Sequence, residues 1–175
     1  MTPLLSTISG HIAFRQKKQS VFPARYFIFD MEEIRGGSGD TYVQLSEFNI
    51  MNGATRLSAN MYPWDLSFSP AGIASSSTHP GNETPSMAND GSTATKWLDF
   101  RGASGGLYID LGSALPTTGY QMYTANDGEY RDPKSWKVWA SKDTINWVLV
   151  SNMSNQNLTT SRLSYAGAWN WISGV

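Results

Sequence analysis

The segment Pro85-Ser-Met-Ala-Asn-Asp-Gly-Ser-Thr-Ala-Thr-Lys-Trp97 is a polar, glycine-containing turn that ends in a tryptophan. The segment that follows it, Leu107-Tyr-Ile-Asp-Leu111, alternates with the period of a β-strand. Tyr120–Thr124 and Trp136–Ala140 have the same period. Nothing in the sequence keeps a helical period for more than one or two turns. Short alternating segments separated by turns predict an all-β fold, either a β-sandwich or a jelly roll.

The composition supports this fold class and excludes several functions. The chain has 175 residues, which suits one domain, and is 40% hydrophobic but only 15% charged. Soluble domains average about 25% charged residues, and long exposed helices are rich in such residues. The low charged fraction of this chain therefore disfavours long exposed helices. The formal net charge of -1 gives no general attraction to nucleic acid or to an anionic membrane. Because the sequence has no cysteine, disulfides, thiolate metal sites and cysteine nucleophiles are excluded.

Two further strands are predicted N-terminal to this region. Tyr26–Met31 is an apolar run of strand length, and Tyr42–Ile50 is a second candidate after the glycine-rich turn Arg35–Asp40. Two strands joined by such a turn predict a hairpin. In the second strand the alternation slips near Glu47, which predicts a β-bulge that redirects this side chain. Residues 51–85 are interpreted as mostly loop.

The turn of residues 85–97 and four later segments form a series of motifs in one order. The turn is similar to A-x-D-G-D-x-x-T-x-W, and Leu107–Gly112 to a strand that ends in I-D-L-G. Thr124–Asp127, Arg131–Trp136 and Ala140–Trp147 are similar to T-A-N-D, R-D-P-x-S-W and G-S-x-D-G-x-N-W. The series resembles the discoidin, or coagulation factor 5/8 type C, family, which includes family 32 carbohydrate-binding modules. This resemblance implies a galactose-binding-like jelly-roll β-sandwich of about eight antiparallel strands.

The order of the strands departs from that family. Its members usually end with a strand pair, whereas the similar pair here, residues 25–50, comes first. We interpret residues 25–175 as one circularly permuted domain and residues 1–24 as an N-terminal arm, because permutation is tolerated where termini lie close together. A strand swap between protomers is the alternative. The basic stretch Arg15–Lys18 in the arm is either a solvated turn or part of an anchor on a partner chain.

The resemblance also implies a structural calcium ion. In the family, backbone carbonyls, an Asp carboxylate and a Thr hydroxyl of the turn hold the ion, and a Glu from the last strand completes the site. The matching positions are Ala88, Asp90, Ser92, Thr95 and Glu47. Oxygen ligands of this kind suit a hard cation such as calcium. Ser92 stands where the family often has Asp, which predicts weaker affinity, and a cation-free loop held by Asp90 hydrogen bonds is the alternative.

Family 32 modules bind sugars through loops at one end of the sandwich, and the resemblance implies the same here. The apolar C–H face of a sugar stacks on an aromatic ring, while planar donors reach its hydroxyl groups. Because the position of the site varies within the family, no motif transfers the sugar-binding residues. The candidates in the predicted loops are Trp64, His79, Phe100, Arg101 and Tyr130.

Most tryptophans are expected to be structural. The resemblance to the family implies which strand positions alternate toward the core, and these include Trp97, Trp136 and Trp147. The same alternation places Trp139 on the outward face of its strand. With Trp169 and Trp171 it is expected either to be covered by its own chain or to form a protein–protein patch. Arg131 and Asp132 are expected to form an ion pair that the family uses structurally.

These observations predict a non-catalytic carbohydrate-binding module whose partner is a glycan or cell-surface polysaccharide. Such domains usually act outside cells, yet the first ten residues lack the charged start and apolar core of a signal peptide. No stretch approaches the roughly 18 apolar residues of a membrane span. A virion component, such as a phage tail or receptor-binding protein used for adhesion, reconciles these points because it is made in the cytoplasm and exposed after lysis.

Two other functions are considered. The alternative to glycan binding is a structural or assembly module of a virion or larger complex, which contacts a partner protein or another copy of itself through the arm and Trp139. Catalysis is not expected. Asp127, Glu129 and Asp132 cluster in sequence, and a glycosidase needs paired carboxylates, but an acidic turn is ordinarily solvated.

Overall fold

A computed structural model describes residues 20–39, 41–64 and 78–174. The strands are β1 (Phe22–Ile34), β2 (Val43–Leu45), β3 (Glu47–Asn52), β4 (Thr55–Arg56), β5 (Asn60–Pro63), β6 (Trp97–Asp99), β7 (Gly106–Thr117), β8 (Gly119–Tyr123), β9 (Pro133–Ser141), β10 (Trp147–Met153) and β11 (Tyr165–Asn170). Short 3-10 helices span Gly37–Gly39, Pro85–Asn89, Gly102–Ser104 and Glu129–Arg131. Residues 1–19, most of the predicted arm, lie outside the described residues. Among the described residues, no helix has the length and apolar character needed to cross a membrane.

The strands form a sandwich of antiparallel sheets. The first sheet has the order β10-β9-β1-β7-β5, and the second has the order β11-β8-β3-β4. A separate short pair joins β2 to β6. This arrangement confirms the all-β, galactose-binding-like fold class that the sequence predicts.

Strand β1 lies in the middle of the first sheet. Phe27 is opposite Ile109 of β7 on one side and opposite Ala140 of β9 on the other. The N-terminal strand therefore completes the sheet of its own chain. It begins at Phe22, so residues 22–24 of the predicted arm belong to the sheet. The circular permutation itself stays a prediction.

The predicted hairpin between the first two strands is wrong. Strand β2 pairs with β6 and β3 pairs with β8, so neither is hydrogen-bonded to β1. The physical reason is that β1 and β3 bring apolar side chains to opposite walls of one core. Phe29 of β1 and Phe48 of β3 meet across it with 4.6 Å between ring centroids.

The slip in alternation predicted near Glu47 is present as a break between two strands. Strand β2 ends at Leu45, β3 begins at Glu47, and the amide of Ser46 donates to the carbonyl of Tyr123 at 3.1 Å. Apolar side chains on both strands face the core, and polar ones on the opposite face are also buried. The buried polar residues are Gln44, Ser46, Glu47 and Asn49. This polar face supports the loops described below.

Aromatic rings fill the core between the sheets. Trp97 and Trp136 are fully buried, as predicted. The indole Nε1 of Trp136 donates to the hydroxyl of Tyr120 at 2.7 Å, and this hydroxyl lies 2.9 Å from Ser151 Oγ. Burial raises the pKa of Tyr120, so the phenol stays protonated and keeps these contacts.

Strand β11 carries Trp169 into this interior, and Trp171 follows directly after the strand. Trp169 is opposite Tyr120 of β8. The Tyr120 ring stacks on Trp169 at 5.3 Å and on Trp171 at 5.6 Å between centroids. Of the two expectations for these tryptophans, cover within their own chain is the one observed.

A second aromatic cluster lies on the outer face of the first sheet. Its members are the buried Ile28, Trp64 and Tyr108, with Tyr26, Trp139 and Trp147 packed against them. Trp139 faces away from the main core, as predicted. The core position predicted for Trp147 is wrong, because Val148 and Val150 take the inward positions of β10 and its ring packs edge-on against Tyr108.

Asp30 lies on β1 at the margin of this outer cluster and predicts a pH dependence of stability. Burial raises its pKa to about 6, although the Trp139 indole hydrogen-bonds its carboxyl group. The folded state binds the proton of the Asp30 carboxyl group more tightly than the unfolded chain does. The contribution of this proton to the free energy of unfolding is therefore complete below about pH 4 and is lost as the pH rises through about 6. Asp30→Asn is therefore expected to be more stable than the parent at pH 7.5, with the difference disappearing near pH 4. Urea denaturation of both proteins across this range measures it, and a difference independent of pH would contradict the assignment.

Candidate functional site

Tyr42 and Phe100 meet at one end of the β2–β6 pair. Tyr42 immediately precedes β2 and Phe100 immediately follows β6, and Val43 is opposite Asp99 in the antiparallel register. The two rings are therefore adjacent and pack edge to face with 5.6 Å between centroids. Phe100 remains 42% exposed, so one of its faces is available to a ligand.

Tyr130 and Arg131 extend this arrangement from the 3-10 helix Glu129–Arg131. The Arg131 guanidinium carbon lies 5.0 Å from the ring centroid of Tyr42 and 5.2 Å from that of Tyr130. Tyr130 is 46% exposed. Phe100, Tyr42, Arg131 and Tyr130 therefore form a continuous surface group, which we call the aromatic–arginine cluster.

The turn that carries Tyr130 and Arg131 is fixed by a buried carboxylate. Asp132 is fully buried and accepts two hydrogen bonds from Arg162, at 2.9 and 2.6 Å, with Arg35 at 3.7 Å. Burial raises the pKa of Asp132, and Arg162 and Arg35 oppose that rise. The predicted ion pair between Arg131 and Asp132 is wrong, because Arg131 points to the tyrosine rings while other arginines neutralise Asp132.

A second polar network lies under the cluster. Lys96 is buried, and its Nζ donates to Asp127 Oδ1 at 2.6 Å and to Gln44 Oε1 at 3.0 Å. Gln44 Nε2 in turn donates to the carbonyl of Gly128 at 3.1 Å. Burial alone would raise the pKa of Asp127, but the Lys96 ammonium holds it below the usual value. This network joins β2 to the turn that presents Tyr130.

The structure brings together only part of the predicted sugar-binding set. Phe100 and Tyr130 belong to the aromatic–arginine cluster. Arg101 is committed to a bidentate pair with buried Asp99, at 2.9 and 2.6 Å. His79 Nδ1 donates a hydrogen bond to the carbonyl of Pro80 at 2.8 Å.

The loop position predicted for Trp64 is wrong. Trp64 is not a loop residue, because its amide donates to the carbonyl of Gly106 at 3.1 Å directly after β5. Its ring belongs to the outer cluster and is only 4% exposed. Such a ring offers no open face on which a sugar could stack.

Sequence reasoning missed two members of the cluster. Tyr42 was interpreted as the start of a strand, and Arg131 was assigned to Asp132. A signal for Tyr42 was available, because a residue just before one strand and a residue just after its antiparallel partner lie at the same sheet end. Arg131 gave no comparable signal, since two neighbouring acidic residues, Glu129 and Asp132, compete for it in sequence.

The residues predicted to hold calcium also lie close together, around the turn at Gly91. Glu47 Oε1 accepts hydrogen bonds from the amides of Gly91 and Ser92, at 2.8 and 3.0 Å. Asp90 Oδ2 accepts from the Thr95 hydroxyl at 2.7 Å, and that hydroxyl lies 2.9 Å from the carbonyl of Ser92. Ala88 is buried in the preceding 3-10 helix. We call residues 88–95 the cation loop.

The donor types of the cation loop fit a hard cation. The carboxylate of Asp90, the hydroxyl of Thr95 and the backbone carbonyls of the loop, together with the carboxylate of Glu47 on β3, are oxygen ligands of the kind that calcium takes. No group of three His, Cys, Asp or Glu side chains suited to a metal is found within the described ranges, so carbonyl and hydroxyl oxygens would have to complete the shell. Burial raises the pKa of Glu47, and the Gly91 amide and the charge of Arg56 oppose that rise.

Comparison with known proteins identifies the family. A family model described as the F5/8 type C domain matches residues 72–167, which is more than half of the 175-residue chain. The matched region contains the cation loop, Phe100 and the turn with Tyr130. Neither the curated proteins nor the solved structures gave a significant match. The chain therefore belongs to the F5/8 type C, or discoidin, family of carbohydrate- and ligand-binding modules.

Proposed function

We propose that this protein is a non-catalytic module that binds a neutral glycan at the aromatic–arginine cluster. The observation that carries the proposal is that the exposed rings of Phe100 and Tyr130 lie at the two ends of the cluster, with Tyr42 and Arg131 between them.

The chemistry of the cluster suits a pyranose. A ring face packs against the C–H face of a sugar, and a guanidinium presents several donors in one plane to its hydroxyl groups. Within the described residues, Arg131 has no carboxylate within salt-bridge distance, unlike Arg101 and Arg162, which form short pairs with Asp99 and Asp132. The N–H groups of Arg131 are therefore more available to a ligand than those of Arg101 and Arg162, which a carboxylate already occupies.

The proposal is tested with a glycan array followed by calorimetric titration of the best ligand. Phe100→Ala is expected to weaken binding by about tenfold or more, which corresponds to the loss of roughly 1.4 kcal/mol of stacking. Arg131→Ala is expected to weaken it to a similar extent through lost hydrogen bonds. Because Phe100 is half exposed, its variant is expected to keep the parent's unfolding curve.

Ile145→Ala serves as the matched control. Ile145 is an apolar side chain that is 77% exposed in the turn between β9 and β10, outside the cluster. Its removal is expected to leave the affinity unchanged. Absence of binding to every glycan on the array, or equal affinities for Phe100→Ala and the parent, would reject the proposed site.

The acidic turn has no catalytic role in this proposal. Asp127 is bound to Lys96 and Asp132 to Arg162, so two of its three carboxylates neutralise cations instead of facing one another.

Adhesion of a virion to a cell-surface polysaccharide stays a prediction from the sequence. For the assembly alternative, Trp169 and Trp171 pack on Tyr120 inside the sandwich, so they do not share a surface patch with Trp139, which belongs to the outer cluster.

A further inference from the structure

Arg56 lies beside the cation loop although it stands outside the part of the chain that matches the family. It is the last residue of β4, which forms a hairpin with β3, and it is opposite Met51. Three residues after Arg56, the amide of Ala59 donates to Asn89 Oδ1 at 2.9 Å. The hairpin is thus attached to the loop, and Arg56 is held close to Glu47.

Three oxygen atoms surround one nitrogen of the Arg56 guanidinium. Nη1 lies 3.2 Å from the carbonyl oxygen of Asn89, 3.5 Å from Glu47 Oε2 and 3.5 Å from Asn49 Oδ1. A carboxylate, an amide and a backbone carbonyl are the same donor types that a hard cation would use. The guanidinium therefore occupies an oxygen-lined position at the edge of the cation loop.

Glu47 needs a cation because it is only 2% exposed. A buried carboxylate without a positive partner is strongly unfavourable. Within the described residues, Arg56 is the cation that forms an ion pair with Glu47. Gly91 leaves room for this pairing, since a Cβ at that position would lie 3.1 Å from Arg56 Nη2.

We propose that Arg56 is a built-in cation of the loop and that it competes with calcium for Glu47. A second positive charge at the same carboxylate would repel the guanidinium, so calcium binding requires the Arg56 side chain to move away. Its side chain is about one-third exposed and has solvent beside it into which it can move. Arg56 thereby lowers the calcium affinity of the loop and lets the loop keep its shape without the ion. This inference is independent of the glycan proposal.

Calcium titration of the whole chain, with and without Arg56, tests the competition. Arg56→Met keeps the length of the side chain and removes its charge. The parent is expected to bind calcium weakly, and Arg56→Met is expected to bind it about tenfold more tightly or better by calorimetry. In EDTA the variant is expected to unfold at a lower temperature than the parent, and millimolar calcium is expected to restore it. Arg56→Gln repeats the test should Arg56→Met fail to fold.

Two further variants make the outcome specific. Arg25→Met removes an arginine of similar exposure that pairs with Asp110 outside the loop, and it is expected to leave calcium affinity unchanged. Glu47→Gln added to Arg56→Met is expected to abolish the gain. Equal affinities of the parent and Arg56→Met, no calcium binding by any of these proteins, or an equal gain in Arg25→Met would each overturn the proposal.

Discussion

Gly119→Ala is expected to destabilise the protein by about 3 kcal/mol, the upper end of the cost of overpacking a core position. A Cβ at Gly119 would collide with the carbonyl oxygen of Trp169 and would lie 3.0 Å from the Cα of Asn170. Both contacts are with backbone, so side-chain movement cannot relieve them. Strand β11 would have to separate from β8 and withdraw Trp169 from its stack on Tyr120.

Urea denaturation gives the free energy of unfolding, and near-ultraviolet circular dichroism reports the packing of the tryptophans. Gly81→Ala is the matched control, because a Cβ at Gly81 meets no atom within 4 Å. It is expected to change the stability by less than about 0.5 kcal/mol. If Gly119→Ala unfolded at the parent's urea concentration with an unchanged near-ultraviolet spectrum, the close approach of β8 and β11 would be wrong.

Asp132→Ala is expected to cost about 3 kcal/mol, because it removes one partner from a buried ion pair and leaves cations without compensation. The carboxylate is fully buried between Arg162 and Arg35. Its loss also releases the turn that presents Tyr130, so glycan affinity is expected to fall with stability. Asp132→Asn is expected to lose less, since its amide oxygen still accepts one hydrogen bond.

An exposed ion pair provides the comparison. Glu32 and Lys137 form a salt bridge with both side chains partly in solvent. Glu32→Ala is therefore expected to cost less than about 1 kcal/mol. Thermal and urea unfolding of the three variants measure the differences, and equal costs for Asp132→Ala and Glu32→Ala would contradict the structural role of the buried pair.

The sequence predicted those strands that have one apolar face. Strands β7, β8 and β9 alternate clearly, and each lies where the period indicated. Strand β5 escaped detection because it has four residues and ends in Pro63, a residue that usually signals a break. The hairpin was predicted wrongly because alternation specifies which face is buried but not which strand is the neighbour. Pairing depends on contacts between residues far apart in the chain.

The same limit applies to the site. Phe100 and Tyr130 were found because exposed aromatic residues in loops are informative by themselves. Arg131 and Tyr42 were missed because their contact depends on the placement of the turn that ends at Asp132. Arg56 was missed as well, since its relation to Glu47 arises from a two-residue strand and a hairpin that the sequence interpretation assigned to loop.

The central position of β1 has a consequence for biosynthesis. This strand is synthesised before both of its neighbours, because β7 and β9 begin only at Gly106 and Pro133. At about 5–20 residues per second, the apolar segment around Phe27 and Phe29 waits several seconds without hydrogen-bonding partners. An unpaired apolar strand is a template for aggregation, so this segment of the nascent chain is exposed to aggregation during the interval.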